Sequence, residues 1–109
     1  MFNAYFSKYN DRMFAQLLIH SRMRQLTRGE PLYKKGEMAN HFYFLVRGAL
    51  HLTVVADSQT KMSHTIEENH FFGFRESQME RNDFATSKAN LTEVIQIDTR
   101  VYRTLITQT

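Results

Sequence analysis

Apolar positions in this chain repeat first at helical spacing, then at every second residue, and finally at helical spacing again. From Asn10 the segment DRMFAQLLIHS places Met13, Phe14, Leu17 and Leu18 on one face, with Asn10 as an N-cap, and predicts a helix over about 11–20. Upstream, Phe2, Tyr5, Phe6 and Tyr9 recur at three- and four-residue intervals and predict a second short helix or turn that packs aromatics on the domain. After Met23 the period falls to two. Strands are predicted at 23–27 and 31–34, with Gly29 and Gly36 at turns and Pro31, which lacks an amide donor, at a strand start or edge. Phe42 to Val46 is a nearly continuous apolar run of buried-strand length, ended by Gly48. Then Leu50, Leu52 and Val54 alternate against His51, Thr53 and Val55.

The polar stretch Ala56 to Lys61 reads as a hairpin tip, after which Met62, His64 and Ile66 alternate again. Asn69 is placed to take a left-handed backbone conformation. Phe84 to Lys88 and Leu91 to Ile97 are the last two strands, and Asp98 or Thr99 caps a final helix bearing Val101, Tyr102, Leu105 and Ile106 on one face. The 109 residues therefore read as one mainly β domain with flanking helices: an N-terminal helical segment over 1–22, a closed roll of seven or eight short strands over 23–97, and the start of a C-terminal helix over 98–109.

Composition narrows the chemistry. Nine Phe and five Tyr supply a core without Trp, and with no Cys there is no disulfide, thiolate metal site or thiol nucleophile. The net charge of +3 is too mild to imply nucleic acid, and its sign is uneven: residues 1–35 are basic, whereas Glu67, Glu68, Glu76, Glu80 and Asp83 face only two arginines across 67–83. Solvated faces of opposite sign are the simple reading, and a docking surface the sharper one. No apolar run approaches the roughly eighteen residues that span a bilayer, so the expectation is a cytoplasmic domain with no membrane insertion.

Enzymatic signatures are missing. His20, His41, His51, His64 and His70 form no His-x-His pair, so a metal site of the cupin kind is not expected and His51 reads as an exposed strand histidine. No serine lies in a Gly-x-Ser-x-Gly elbow, and no two glycines lie closer than seven residues, which excludes phosphate-loop and dinucleotide fingerprints. The domain is not expected to be an enzyme or to carry a metal or cofactor.

The run Arg28-Gly29-Glu30 through Gly36-Glu37, followed by His41-Phe42-Tyr43-Phe44-Leu45-Val46-Arg47-Gly48, resembles the cyclic-nucleotide-binding domain family, the β-roll or jelly roll of protein kinase A regulatory subunits, gated channels and catabolite activators. The resemblance extends from about Asp11 to Ile106. It implies a ligand, cAMP or cGMP, held by a phosphate-binding cassette with a short helix, in which a Glu after Phe-Gly binds the ribose hydroxyl and an Arg nine residues later pairs with the cyclic phosphate. Here the cassette reads FGFRESQMERNDFATSKA. With Phe72, Gly73, Ala85 and Thr86 aligned without a gap, Phe74 stands at the Glu position and Asp83 at the Arg position.

Both key charges are therefore replaced. Loss of a charged hydrogen bond costs about 1.5 to 3 kcal/mol, and an anion facing the phosphate adds up to about 4 kcal/mol of repulsion near a protein surface. Together these weaken a micromolar site on the order of a thousandfold or more. Phe74 would also make the pocket floor apolar. The alternative is a shortened cassette in which Glu76 and Arg81 take the two roles, against the register set by Ala85 and Thr86. Solvent-facing pairs on a cassette helix are the simpler account of Arg75, Glu76, Glu80 and Arg81. The reading is thus a non-catalytic regulatory or protein-interaction module with a lost or altered nucleotide pocket. Its partner would be another protein or the remainder of a longer chain, not nucleic acid; the alternative is a genuine cyclic-nucleotide sensor.

Overall fold

A computed structural model describes residues 11–55, 61–75 and 79–107. Helix α1 (Asp11–Ile19) leads into β1 (Ser21–Leu26), β2 (Pro31–Tyr33), β3 (His41–Arg47), β4 (Leu50–Val55), β5 (Lys61–Ile66), β6 (Phe71–Phe72), β7 (Asp83–Ser87) and β8 (Thr92–Asp98), and α2 (Thr99–Thr107) follows directly. The strands form two antiparallel four-stranded sheets, ordered β1-β8-β3-β6 and β2-β7-β4-β5. The fold is the mainly β roll with flanking helices that the alternation predicts.

The apolar run of β3 is explained by burial on both faces. Tyr43 and Leu45 join Leu26, Leu50, Leu52, Phe72, Ala85 and Val94 in one core. Phe42 points the other way and joins Leu17 of α1, Ile97 of β8 and the partly buried Tyr102 and Leu105 of α2 in a second. Each such side chain contributes roughly 1.5–3 kcal/mol by leaving water. On α1, Leu17 is buried, whereas Leu18, predicted on the same face, is exposed.

Turn chemistry fixes the corners. Gly48, between β3 and β4, has a φ of +97°, and a Cβ there would lie 2.6 Å from the Leu91 carbonyl oxygen. Asn69 takes the predicted left-handed conformation with a φ of 68°, and its N–H donates to Leu45 O at 2.7 Å. Asp98 caps α2 as predicted, its Oδ1 accepting from the N–H groups of Arg100 and Val101 at 2.8 and 3.0 Å.

Three expectations differ from the structure. β6 escapes the pattern because two residues show no period. Strand bounds move by one or two residues, so that Asp83 and Asp98 become strand residues. The cassette helix is absent among the described residues 73–75 and 79–82, because Met79 to Arg81 pair with the turn after β2 instead. Met79 O accepts from Ala39 N–H at 2.8 Å, Arg81 N–H donates to Glu37 O at 2.7 Å, and Gly36 N–H donates to Arg81 O at 2.9 Å. The aromatic segment Phe2 to Tyr9, the hairpin tip over 56–60 and Glu76 lie outside the described residues.

Candidate functional site at the cassette

The cassette leaves β6 at Gly73 and re-enters the roll at Asp83, and the residues near its two ends meet around one side chain. Arg81 is only 3% exposed. Its Nη1 donates to Gly73 O at 2.5 Å and its Nη2 to His41 O at 2.6 Å. The guanidinium lies 4.1 Å from the Tyr33 ring centroid and 5.9 Å from that of Tyr43. A planar fork can satisfy two carbonyls and stack on a ring at once, as a lysine could not. Arg81 is therefore a buried tie between β3 and the start of the cassette, not the solvent-facing helix residue that its spacing suggested.

Asp83 is half-buried, and its Oδ2 accepts a hydrogen bond from the Tyr33 hydroxyl at 2.9 Å. Tyr33 thus bridges the two charged groups, with Arg81 over its ring and Asp83 on its hydroxyl. Burial, reinforced by the Asp83 carboxylate, raises the Tyr33 phenol well above its ordinary pKa, and burial also raises Tyr43. Both phenols stay neutral at physiological pH. Tyr43 stacks against Tyr33 on one side, at 5.9 Å between centroids, and against Phe72 on the other, at 5.4 Å. This stack occupies the interior beneath the cassette. Gly73 has a φ of +80°, and a Cβ there would come within 3.2 Å of the Tyr43 ring, so the close approach of the cassette to Tyr43 suits glycine.

Phe74 does not floor a pocket. It points to the other side of the sheet, 48% exposed, with its ring 5.4 Å from Phe42 and 6.4 Å from Tyr102 and the Arg103 guanidinium 6.0 Å away. Phe42 and Tyr102 are themselves edge-to-face at 5.2 Å. The residue at the ribose-binding position therefore joins the cassette to α2. Ala85 is fully buried on β7, and the neighbouring Thr86 pairs with Pro31 and His51 across the sheet.

The structure thus gathers Phe72, Gly73, Arg81, Asp83 and Ala85 at one end of the roll and sends Phe74 to α2. Sequence reasoning missed Tyr33, Tyr43 and His41; the usable signal was an arginine two residues from an aspartate beside strands that each carry a tyrosine. His51 is half-buried, contrary to the exposed position expected. Among the described residues, no three His, Asp or Glu side chains gather where they could hold a metal ion, and no helix is long and apolar enough to cross a membrane.

Residues 23–109 match the sequence profile of the cyclic nucleotide-binding domain, and the chain belongs to that family of regulatory nucleotide-binding domains. Its fold is similar to the sensor domain of the transcriptional regulator DNR from Pseudomonas aeruginosa, with a TM-score of 0.82 at 17% identity over 94% of this chain and 74% of that one. It is similar also to the catabolite activator protein of Thermus thermophilus, with a TM-score of 0.78 at 18% identity over 94% of this chain and 49% of that one. The c-di-GMP responsive global regulator CLP of Xanthomonas campestris gives 0.71 at 17% identity, covering 90% and 49%. The chain thus spans about half the length of the latter two regulators. No curated protein matches it in sequence.

Proposed function

We propose that this domain is a non-catalytic regulatory or protein-interaction module, acting in the cytoplasm, whose cassette is held by its own side chains instead of a cyclic nucleotide. The observation that carries this reading is the commitment of Arg81 to Gly73 O and His41 O. The cation nearest the phosphate position already has its partners, and Asp83, aligned with the phosphate-binding Arg, brings an anion to that end of the roll. The Tyr33–Tyr43–Phe72 stack fills the space below, and Phe74 spends the ribose position on α2. In this mechanism the cassette and α2 stay docked without ligand, and the roll presents α2 and its charged faces to another protein or to the rest of a longer chain, not to nucleic acid.

Arg81 points inward, which is the observation favouring the sensor alternative. Gripping a cyclic phosphate would require it to release both carbonyls. The test is an NMR titration of isotope-labelled protein with cAMP and cGMP to millimolar concentration, following amides from Gly73 to Ala89. A flat response from folded protein is expected. Saturable shifts centred on Gly73 and Arg81 would instead establish the sensor.

A further inference from the structure

Strand β1 reverses the usual arrangement of a strand that borders a core. Its register with β8 sets Leu26 against Thr92, Arg24 against Val94 and Arg22 against Gln96. Leu26 and Val94 belong to the core inside the roll, and residues two apart in a strand share a face. Arg22, Arg24 and Gln96 therefore lie on the inner face. Met23, between the two arginines, lies on the outer face and is 52% exposed. Charge is thus placed inward and an apolar side chain outward, and positions that break the folding pattern are where function is expected. Tyr43 of β3 pairs with Gln96 from its other side, so this row of the sheet runs from Arg22 to the aromatic stack below the cassette.

The inner face offers donors without an anion to match them. Arg22 is exposed, and Arg24 and Gln96 are half-buried. Arg24 Nη1 donates to Gln96 Oε1 at 3.2 Å, which uses the amide oxygen and leaves Nε2, a donor only. Among the described residues, no carboxylate lies within ion-pairing distance of either arginine. Glu93 faces outward, where Arg47 Nε lies 3.6 Å from its Oε1, and Asp98, on the inner face of β8, caps α2. Burial lowers the pKa of His41, Asp98 opposes the shift, and Arg81, Arg24 and Arg22 add to it. Three guanidinium groups therefore act on one imidazole at this end of the roll.

We infer that Arg22, Arg24 and Gln96 form a binding site for a phosphate group, free or carried on a small molecule. Arg22 and Arg24 start about 7 Å apart along the strand, a gap that two long side chains can close to set both forks on one oxyanion. Gln96, directly opposite Arg22, supplies the third donor. A carboxylate has only two oxygens for these three groups, whereas a phosphate has one for each. The site lies on β1 and β8, outside the cassette, so it does not rest on the cassette reading, and binding here leaves the Arg81 tie in place.

The test is an NMR titration of the isotope-labelled 109-residue protein with inorganic phosphate and, separately, with glycerol 3-phosphate, at an ionic strength held constant with chloride. Saturable shifts centred on the Nε–H groups of Arg22 and Arg24 and the side-chain amide of Gln96 are expected. Tighter binding of the ester would identify a carried phosphate, and tighter binding of the inorganic ion a free one. Arg22→Gln and Arg24→Gln are each expected to weaken binding about fivefold, the scale of a well-placed contact between exposed charges. Arg28→Gln, which removes the same charge at an exposed residue beyond the end of β1, should leave it unchanged. Far-ultraviolet circular dichroism of each variant should match the parent. Shifts that stay linear into tens of millimolar would overturn the inference, as would an equal loss on Arg28→Gln, which marks general charge attraction. Saturation by tetraglutamate but not by either phosphate would also overturn it and give this face to an acidic protein partner.

Discussion

Replacing Arg81 tests the central structural claim most directly. Its guanidinium donates to two carbonyls at 2.5 and 2.6 Å and lies 4.1 Å from the Tyr33 centroid at 3% exposure. A hydrogen bond from a charged group is worth about 1.5–3 kcal/mol, and a desolvated cation–π contact adds about 0.5–2 kcal/mol. These terms share one side chain and do not add fully. Arg81→Ala, which also strands the Gly73 and His41 carbonyls, is therefore expected to cost about 3–5 kcal/mol, a large part of the roughly 5–15 kcal/mol that holds a domain of this size. Arg81→Lys keeps the cation but loses the fork, and is expected to cost about half as much. The assay is urea unfolding followed by circular dichroism, read as a lowered midpoint at constant slope. The losses should persist in high salt, because a buried contact is poorly screened. If Arg81→Ala unfolds within about 0.5 kcal/mol of the parent, as surface substitutions do, then Arg81 is solvated and does not tie the cassette to β3.

Two further substitutions probe other parts of the fold. Gly48→Ala combines a φ of +97° with a Cβ 2.6 Å from Leu91 O, and should cost about 2–4 kcal/mol in the same assay, whereas Gly29→Ala, with a φ of +86° in open space, should cost about 1–2 kcal/mol. Burial lowers the pKa of His41, with Asp98 opposing the shift and Arg81, Arg24 and Arg22 adding to it. The unfolded chain then takes up the proton first as pH falls, so this contribution is complete above about pH 6.5 and is lost below it; His41→Gln should flatten the difference in unfolding midpoint between pH 7.5 and 5.5.

The strands and caps were legible wherever one residue type answers one local demand. Asn69 and Gly48 mark left-handed turns, Asp98 caps a helix, and the apolar run of β3 is buried from Phe42 to Leu45. The conformation of the cassette left no local signature in the sequence. Arg75, Glu76, Glu80 and Arg81 have helical spacing, yet the backbone of Met79 to Arg81 pairs with the turn over 36–39, which is distant in sequence and leaves no local signature. The fate of Arg81 was hidden for the same reason, since its partners Tyr33, His41, Tyr43 and Gly73 come from separate parts of the chain. Phe74 could be read as apolar, but which face of the sheet it joined depended on where α2 returns.

The two-faced burial of β3 has a consequence for how the domain opens. A strand locked into two cores and hydrogen-bonded on both sides releases its amide protons only when the whole domain unfolds. The amides of Phe42 to Leu45 should thus report global stability by hydrogen exchange, while those of β5, at an exposed edge, exchange through local openings. The roll therefore has a rigid keel and a pliable margin, so its margin can be remodelled by a partner without loosening the strand on which both cores depend.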